Sequence, residues 1–197
     1  FPPLGQRWWK AAWFENFDVV PDLITFAKGV TCGYVQLGGV AVSSKIAAYF
    51  DDHLLSCGLT YSGHPLACAA GVACVNYYTK AKILENVNQV GRVLGEELEE
   101  LKGKHACVGD VRYIGLFACA ELVKDKETKE ALVPYGQDTG GIMGRILGLL
   151  KDRGFMTYSH ENMVFVCPPL IITEEQLREE MEKLDEVLSI VDKTYIS

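Results

Sequence analysis

The chain has 197 residues and a net charge of −7, with 49% hydrophobic and 23% charged residues. That length suits one large domain or two small ones with a sizeable core, and the composition is globular rather than disordered. No basic cluster interleaves with aromatics, which argues against nucleic acid as a partner. No apolar run approaches the roughly 18 residues that a membrane span requires. The first residues, FPPLGQRWW, lack the charged start and apolar core of a signal peptide and lack an initiator Met. They are read as the interior of a longer, cytoplasmic protein. The seven cysteines include no C-x-x-C pair. They are read as reduced core thiols rather than a metal site or a disulfide framework.

Residues 1–22 are aromatic-rich and irregular, and FDVVPD (17–22) reads as a turn into a strand. LITFA (23–27) is long enough for a buried strand and too short for a helix. GGVAVSS (38–44) reads as a second buried strand, KIAAYFDD (45–52) as a short helical turn, and 54–65 as a loop dense in Gly, Ser and Thr. Pro65 suits the first turn of the next helix, LACAAGVACVNYY, whose small residues allow close approach to a neighbouring element. Leu84, Val87, Val90, Leu94, Leu98 and Leu101 recur at steps of three and four and predict an amphipathic helix over about 82–102.

Beyond it, DVRYIG and LFACAELV (116–123) read as strands and 124–138 as a polar excursion. GIMGRILGLLKDRG predicts a helix stopped by Gly154, with Lys151 and Arg153 suited to its negative end. FMTY and MVFVCPP are expected to be strands flanking a turn at SHEN. Thr173 and Gln176 form a T-x-x-Q capping box ahead of a helix that buries Leu177, Met181, Leu184, Leu188 and Val191. These elements give an α/β chain with a boundary near residue 104, separating 1–104 from 105–197.

Lys28 closes the apolar run 23–27 and is followed directly by Gly29. Three readings stand side by side. The lysine reaches solvent from a strand end; it binds phosphate, although the G-x-x-x-x-G-K-[ST] loop is absent; or its amine forms a Schiff base with a cofactor aldehyde. The third needs an amine that loses its proton near neutral pH, which partial burial promotes. Phe26, Ala27 and Val30 are expected to supply that burial. Gly29 and Gly33 would let a planar cofactor approach the backbone. Period and composition do not choose among the three.

The wider string, VVPDLITFAKGVTCGYVQLGGVAVSSKI (19–46), resembles the lysine segment of class III aminotransferases, fold-type I enzymes that use pyridoxal 5'-phosphate (PLP). It keeps Pro21, Asp22, Ala27, Lys28, Gly29, Gly33, Tyr34, Leu37 and Gly38 of the family pattern, with Gln36 where the family often has Pro. GLTYSGHPLACAAG (58–71) is similar to the family's phosphate-binding loop. VGDVRYIGLFACAELVKDKET (108–128) is similar to the start of its small domain, with Tyr113 in place of Gly. VCPPLIITEEQL (166–177) is similar to its final strand-to-helix join. The texture most resembles ω-amino acid–pyruvate and taurine–pyruvate aminotransferases.

This resemblance implies a C-terminal part of a PLP-binding large domain with its linker helix (1–104) and a small α/β domain (105–197). It implies that Lys28 holds PLP as an aldimine and shuttles a proton during amino transfer to a keto acid such as pyruvate. Thr60 would donate to the PLP phosphate of a neighbouring subunit, which implies a homodimer. Tyr61 and Ser62 would shape that loop, and His64 is a loop or cap residue. Arg112 is a carboxylate contact or, by the plainer reading, a structural ion pair. FMTYSHENMVFVCPPL lacks the Arg by which many relatives clamp a substrate carboxylate, which leaves room for a sulfonate or simple amine donor. In the family an Asp, a ring-stacking aromatic and a Gly-rich loop precede the lysine. PPLGQRWW looks like a diverged remnant of the turn between them, so the match is to the family's C-terminal half. The competing readings are a non-catalytic fragment of such an enzyme, or an aminomutase or racemase of the same fold type.

Overall fold

The computed structural model describes residues 19–138 and 141–196. The aromatic-rich start and its PPLGQRWW turn lie outside these residues. The chain divides into two compact units, Phe1–Leu84 and Glu85–Ser197.

In the first unit, β1 (Leu23–Ala27) and β2 (Gly38–Val42) form an antiparallel ribbon, with Leu23 opposite Val42 and Ala27 opposite Gly38. A single 3₁₀ turn, Gly29–Thr31, follows β1. Ser43 ties the open end of the ribbon: its N–H and hydroxyl donate to the Asp22 backbone and carboxylate at 2.8 and 2.9 Å. The same hydroxyl accepts from Ile46 N–H and caps α1 (Ser44–Asp52), a fuller helix than the short turn expected. Pro65 stands at the first position of α2 (Pro65–Lys80), as its missing N–H predicts. The ribbon departs from the expectation of buried strands: Leu23, Val40 and Val42 are exposed. Among the described residues no further strand pairs with either edge of it.

The second unit holds the core. α3 (Ile83–Lys104) starts at the junction of the units and buries Val87, Val90, Leu94, Leu98 and Leu101, the spacing read from sequence. β3 (Val108–Ile114) and β4 (Phe117–Asp125) form a hairpin closed by Gly115 at φ +55° and Leu116. The sheet order is β3-β4-β7-β6, all antiparallel, where β6 is Ser159–His160 and β7 is Met163–Val166; β5 (Glu130–Ala131) pairs with β4. Central position explains why β4 buries Ala118, Cys119, Ala120, Leu122 and Val123 almost without alternation. α4 (Ile142–Asp152) ends in a Schellman motif, with Gly154 at φ +84° and Phe155 N–H donating to Leu150 O at 3.0 Å. α5 (Glu174–Tyr195) opens on the predicted capping box, Gln176 N–H to Thr173 Oγ1 at 3.2 Å and Thr173 N–H to Gln176 Oε1 at 3.1 Å.

FMTY is not a strand; Ser159 and His160 pair instead, and the turn narrows to Glu161–Asn162 with Glu161 at φ +51°. Asn162 fixes that turn by donating from its side chain to Leu122 O and accepting from Leu122 N–H, both at 2.8 Å. The cysteines are not uniformly core thiols: Cys107 and Cys119 are buried, Cys74 is half-buried, and Cys32, Cys57, Cys68 and Cys167 are exposed, all unbridged. Small-residue context marked close packing in Cys107 and Cys119 but not in the others, which lie on the thinly covered first unit or after the last strand.

Candidate active site

Lys28 leaves β1 with φ +56° and ψ −77°, a conformation that is strained for any residue with a side chain. The strain is held by the turn that follows. Lys28 O accepts from Thr31 N–H at 3.1 Å, Gly33 N–H at 3.2 Å and the Thr31 hydroxyl at 3.4 Å. The Thr31 hydroxyl also lies 2.6 Å from Val35 O, and Thr31 is only 1% exposed, where few of the unit's described residues are buried. Cys32 and Gly33 continue in the left-handed region, at φ +49° and +77°. The lysine is thus fixed at its backbone by a knotted loop, while its side chain is exposed and makes no ion pair among the described residues.

Two glycines let this loop seat itself. An added Cβ at Gly39 would come within 2.6 Å of the Phe26 ring, so Phe26 lies across the ribbon only because Gly39 faces it. An added Cβ at Gly71 would stand 3.0 Å from Leu37 and 3.9 Å from Val30 O, which brings α2 against the lysine loop. Gly29 and Gly33 behave differently: a Cβ there would meet nothing within 4 Å. They border open space, and at Gly33 the positive φ is what requires glycine. The burial expected of Phe26, Ala27 and Val30 is a correction. Phe26 and Val30 are half-buried, Ala27 is exposed, and together they do not cover the Lys28 amine.

Thr60 sits in the turn before α2 and is exposed. The turn is held by Ser62 N–H to Leu59 O at 2.9 Å and His64 N–H to Tyr61 O at 3.3 Å. The Thr60 hydroxyl makes no hydrogen bond among the described residues, and none joins this turn to the Lys28 loop. His64 is the N-cap residue of α2 without a side-chain cap bond, and its ring lies 6.2 Å from that of Tyr61. Arg112, on β3, is committed to an ion pair with Glu121 at 2.7 Å and a longer contact with Asp110 at 3.4 Å, the structural reading of the two offered. No group of His, Cys, Asp and Glu suited to a metal ion occurs among the described residues, and no described helix is long and apolar enough to cross a membrane.

Thr31 is not marked by the sequence pattern, yet a hydroxyl three residues beyond a strained lysine is well placed to bond back to its carbonyl.

The sequence and fold match known proteins along nearly the whole chain. The family model for "Aminotransferase class-III" matches residues 6–188. Ethanolamine-phosphate phospho-lyase homolog 1 of Caenorhabditis elegans is 30% identical over 203 residues, covering 98% of this chain and 40% of that protein. Taurine–pyruvate aminotransferase of Bilophila wadsworthia is 32% identical over 204 residues, covering 93% of this chain and 42% of that protein. The crystal structure of taurine:2-oxoglutarate aminotransferase from Bifidobacterium kashiwanohense, in complex with PLP and glutamate, superposes with a TM-score of 0.86 at 53% identity, over 92% of this chain and 41% of that one. The chain therefore spans about two fifths of the length of the relatives it matches. A family match across most of the chain, with the lysine loop inside it, places this protein in the class III aminotransferases.

Proposed function

We propose that the chain is the lysine-bearing and C-terminal portion of a PLP-dependent aminotransferase, which moves an amino group from an ω-amino acid, a taurine-like donor or a simple amine to a keto acid such as pyruvate. The observation that carries this reading is Lys28: a strained, triply hydrogen-bonded backbone that presents an unpaired amine into open space beside Gly29 and Gly33. Strain of this kind persists only where surrounding contacts over-determine it, and it concentrates at functional sites. The residues fit the cofactor in kind. Lys28 supplies the amine and Thr60 an uncommitted hydroxyl for phosphate.

When bound, PLP supplies an aldehyde that condenses with an amine and a ring that draws electrons from the adjoining carbon. Lys28 Nζ would anchor the cofactor covalently and, as a free amine, would carry the proton from the donor carbon to the cofactor carbon. The Thr31 hydroxyl holds the Lys28 carbonyl and so fixes where the side chain starts. Thr60 binds the phosphate belonging to a second copy of the chain, which makes the enzyme a homodimer. That Thr60 has no bond to its own Lys28 loop supports this division of labour. Arg112 is occupied by Glu121, which supports a donor whose acid group is bound elsewhere, or a donor without a carboxylate.

Amino transfer itself is the test. The PLP-loaded chain is given taurine, β-alanine or a simple amine with pyruvate or 2-oxoglutarate, and the alanine or glutamate formed is quantified. Donor-dependent product that falls by roughly 10²–10⁴-fold in Lys28→Ala supports the reading, since positioned proton transfer contributes on that scale. Product that survives Lys28→Ala, racemised or rearranged donor, or no product from any pair counts against it.

A further inference from the structure

Cys32 and Cys74 stand apart from the other cysteines. Cys74 projects from α2 and its thiol donates to Cys32 Sγ at 3.0 Å. Cys32 closes the turn after Lys28, where its N–H bonds Gly29 O at 3.3 Å and its sulfur approaches the Tyr78 hydroxyl at 3.9 Å. The two sulfurs are brought together by backbone elements that are already fixed, the lysine loop and the helix seated against it at Gly71. A disulfide needs about 2.05 Å between sulfurs, so closure from 3.0 Å asks for a movement of about 1 Å. Cys57, Cys68 and Cys167 are exposed as well, but none makes a sulfur–sulfur hydrogen bond among the described residues.

We infer that Cys32 and Cys74 form a reversible disulfide, an oxidative modification site that staples the Lys28 loop to α2. The oxidant class is a hydroperoxide. The exposed Cys32 sulfur attacks the oxygen of hydrogen peroxide and gives up its proton, the O–O bond breaks, and hydroxide leaves, taking up that proton as water; the product is a sulfenic acid on Cys32. Cys74 sulfur then attacks that sulfur, the S–O bond breaks, and the Cys74 proton leaves with the hydroxide as a second water. Two thiols are oxidised and one peroxide is reduced. Burial, with Cys32 beside it, pushes the Cys74 thiol up to about 11. Cys74 is therefore the protonated, resolving partner, and the exposed Cys32 is the one the oxidant meets. A dithiol reductant reverses the bond. The inference does not depend on the role given to Lys28.

The test uses the whole chain without cofactor. It is treated with stoichiometric hydrogen peroxide, free thiols are alkylated, and tryptic peptides are sequenced by tandem mass spectrometry, which separates Cys74 from Cys57 and Cys68 on the shared peptide 46–80. The expected product is lighter by two hydrogens, has lost two of its seven thiols, carries a Cys32–Cys74 link, and returns to seven thiols with dithiothreitol. In Cys74→Ser, Cys32 is expected to stop at the sulfenic acid and react with dimedone; in Cys32→Ser, Cys74 is expected to stay alkylatable. Oxidation that leaves Cys32 and Cys74 alkylated, links either to another cysteine, or drives Cys32 to sulfinic acid with Cys74 still free overturns the proposal. The wild-type map decides this even where a variant fails to fold.

Discussion

Gly91 on α3 faces Gly115 so closely that an added Cβ would lie 2.7 Å from its backbone carbon and oxygen. Backbone cannot step aside as a flexible side chain can. Gly91→Ala is expected to destabilise the chain by roughly 1–3 kcal/mol, the cost of overpacking, read as a lower urea midpoint; an unchanged midpoint would remove the contact's significance. His105 is a second such residue. It is 2% exposed, with Nδ1 2.7 Å from Asp192 and Nε2 2.7 Å from Asp185. Burial alone would raise the Asp185 carboxyl, but hydrogen bonds from Lys104 and His105 outweigh it and hold the carboxyl below its ordinary value. For Asp192, burial is likewise outweighed, by Cys107 and His105. Both carboxyls therefore contribute stability that is fully present above the ordinary carboxylate pKa and is lost as pH falls through their depressed values. His105→Ala is expected to cost about 1–3 kcal/mol at neutral pH, the scale of unpartnered buried polar groups. That deficit should shrink in acid, where the carboxyls are neutral. Urea curves for both proteins at neutral and acid pH check this, and a deficit that grows in acid would contradict the assignment.

Elements were legible in proportion to how much of their pattern is local. The capping box of α5 needs only Thr173 and Gln176, and both hydrogen bonds are present. Thr173→Ala is expected to lower stability by about 1 kcal/mol, measurable as a drop in Tm, with Thr173→Ser recovering most of it. The stop of α4 at Gly154 and the apolar stripe of α3 were equally readable, because each is a short-range consequence of backbone geometry or helical period. The strands were less so. FMTY has the composition of a strand, yet pairing is a non-local matter, and the side chain and backbone of Asn162 draw the turn two residues along to Glu161–Asn162. β1 and β2 were found, but their burial was not, because burial depends on what covers a strand. The lysine loop shows the same limit. Lys28 and Gly33 stood out in sequence, whereas the strain at Lys28 and the hydroxyl of Thr31 that restrains it are properties of the folded turn. Thr31→Val is expected to speed amide exchange of Cys32–Tyr34 relative to the core strands, and unchanged protection there would show that the hydroxyl restrains nothing.

At the scale of the molecule the two units differ sharply. The second is a covered sheet with a continuous core, while the first leaves Val20, Leu54, Leu59, Tyr34 and Tyr61 more than three-quarters exposed. Large apolar surface of this extent marks an interaction face, and the proposed homodimer supplies one occupant. The chain is expected to self-associate at micromolar concentration or to bind a hydrophobic dye when dilute; a monodisperse monomer that binds no dye would contradict this. The family could be read from sequence because its motifs are short and ordered along the chain. Thr60 carries no such sign in the fold: its exposed hydroxyl has no partner among the described residues. The central claim is that Lys28, among all the lysines, is the one built to hold the cofactor. The measurement that tests it most directly is to add PLP to the chain, reduce with borohydride, and map the added mass by peptide sequencing. The account predicts the label on Lys28, lost in Lys28→Arg without redistribution. Label spread over surface lysines, with Lys28 no more modified than the rest, would contradict it.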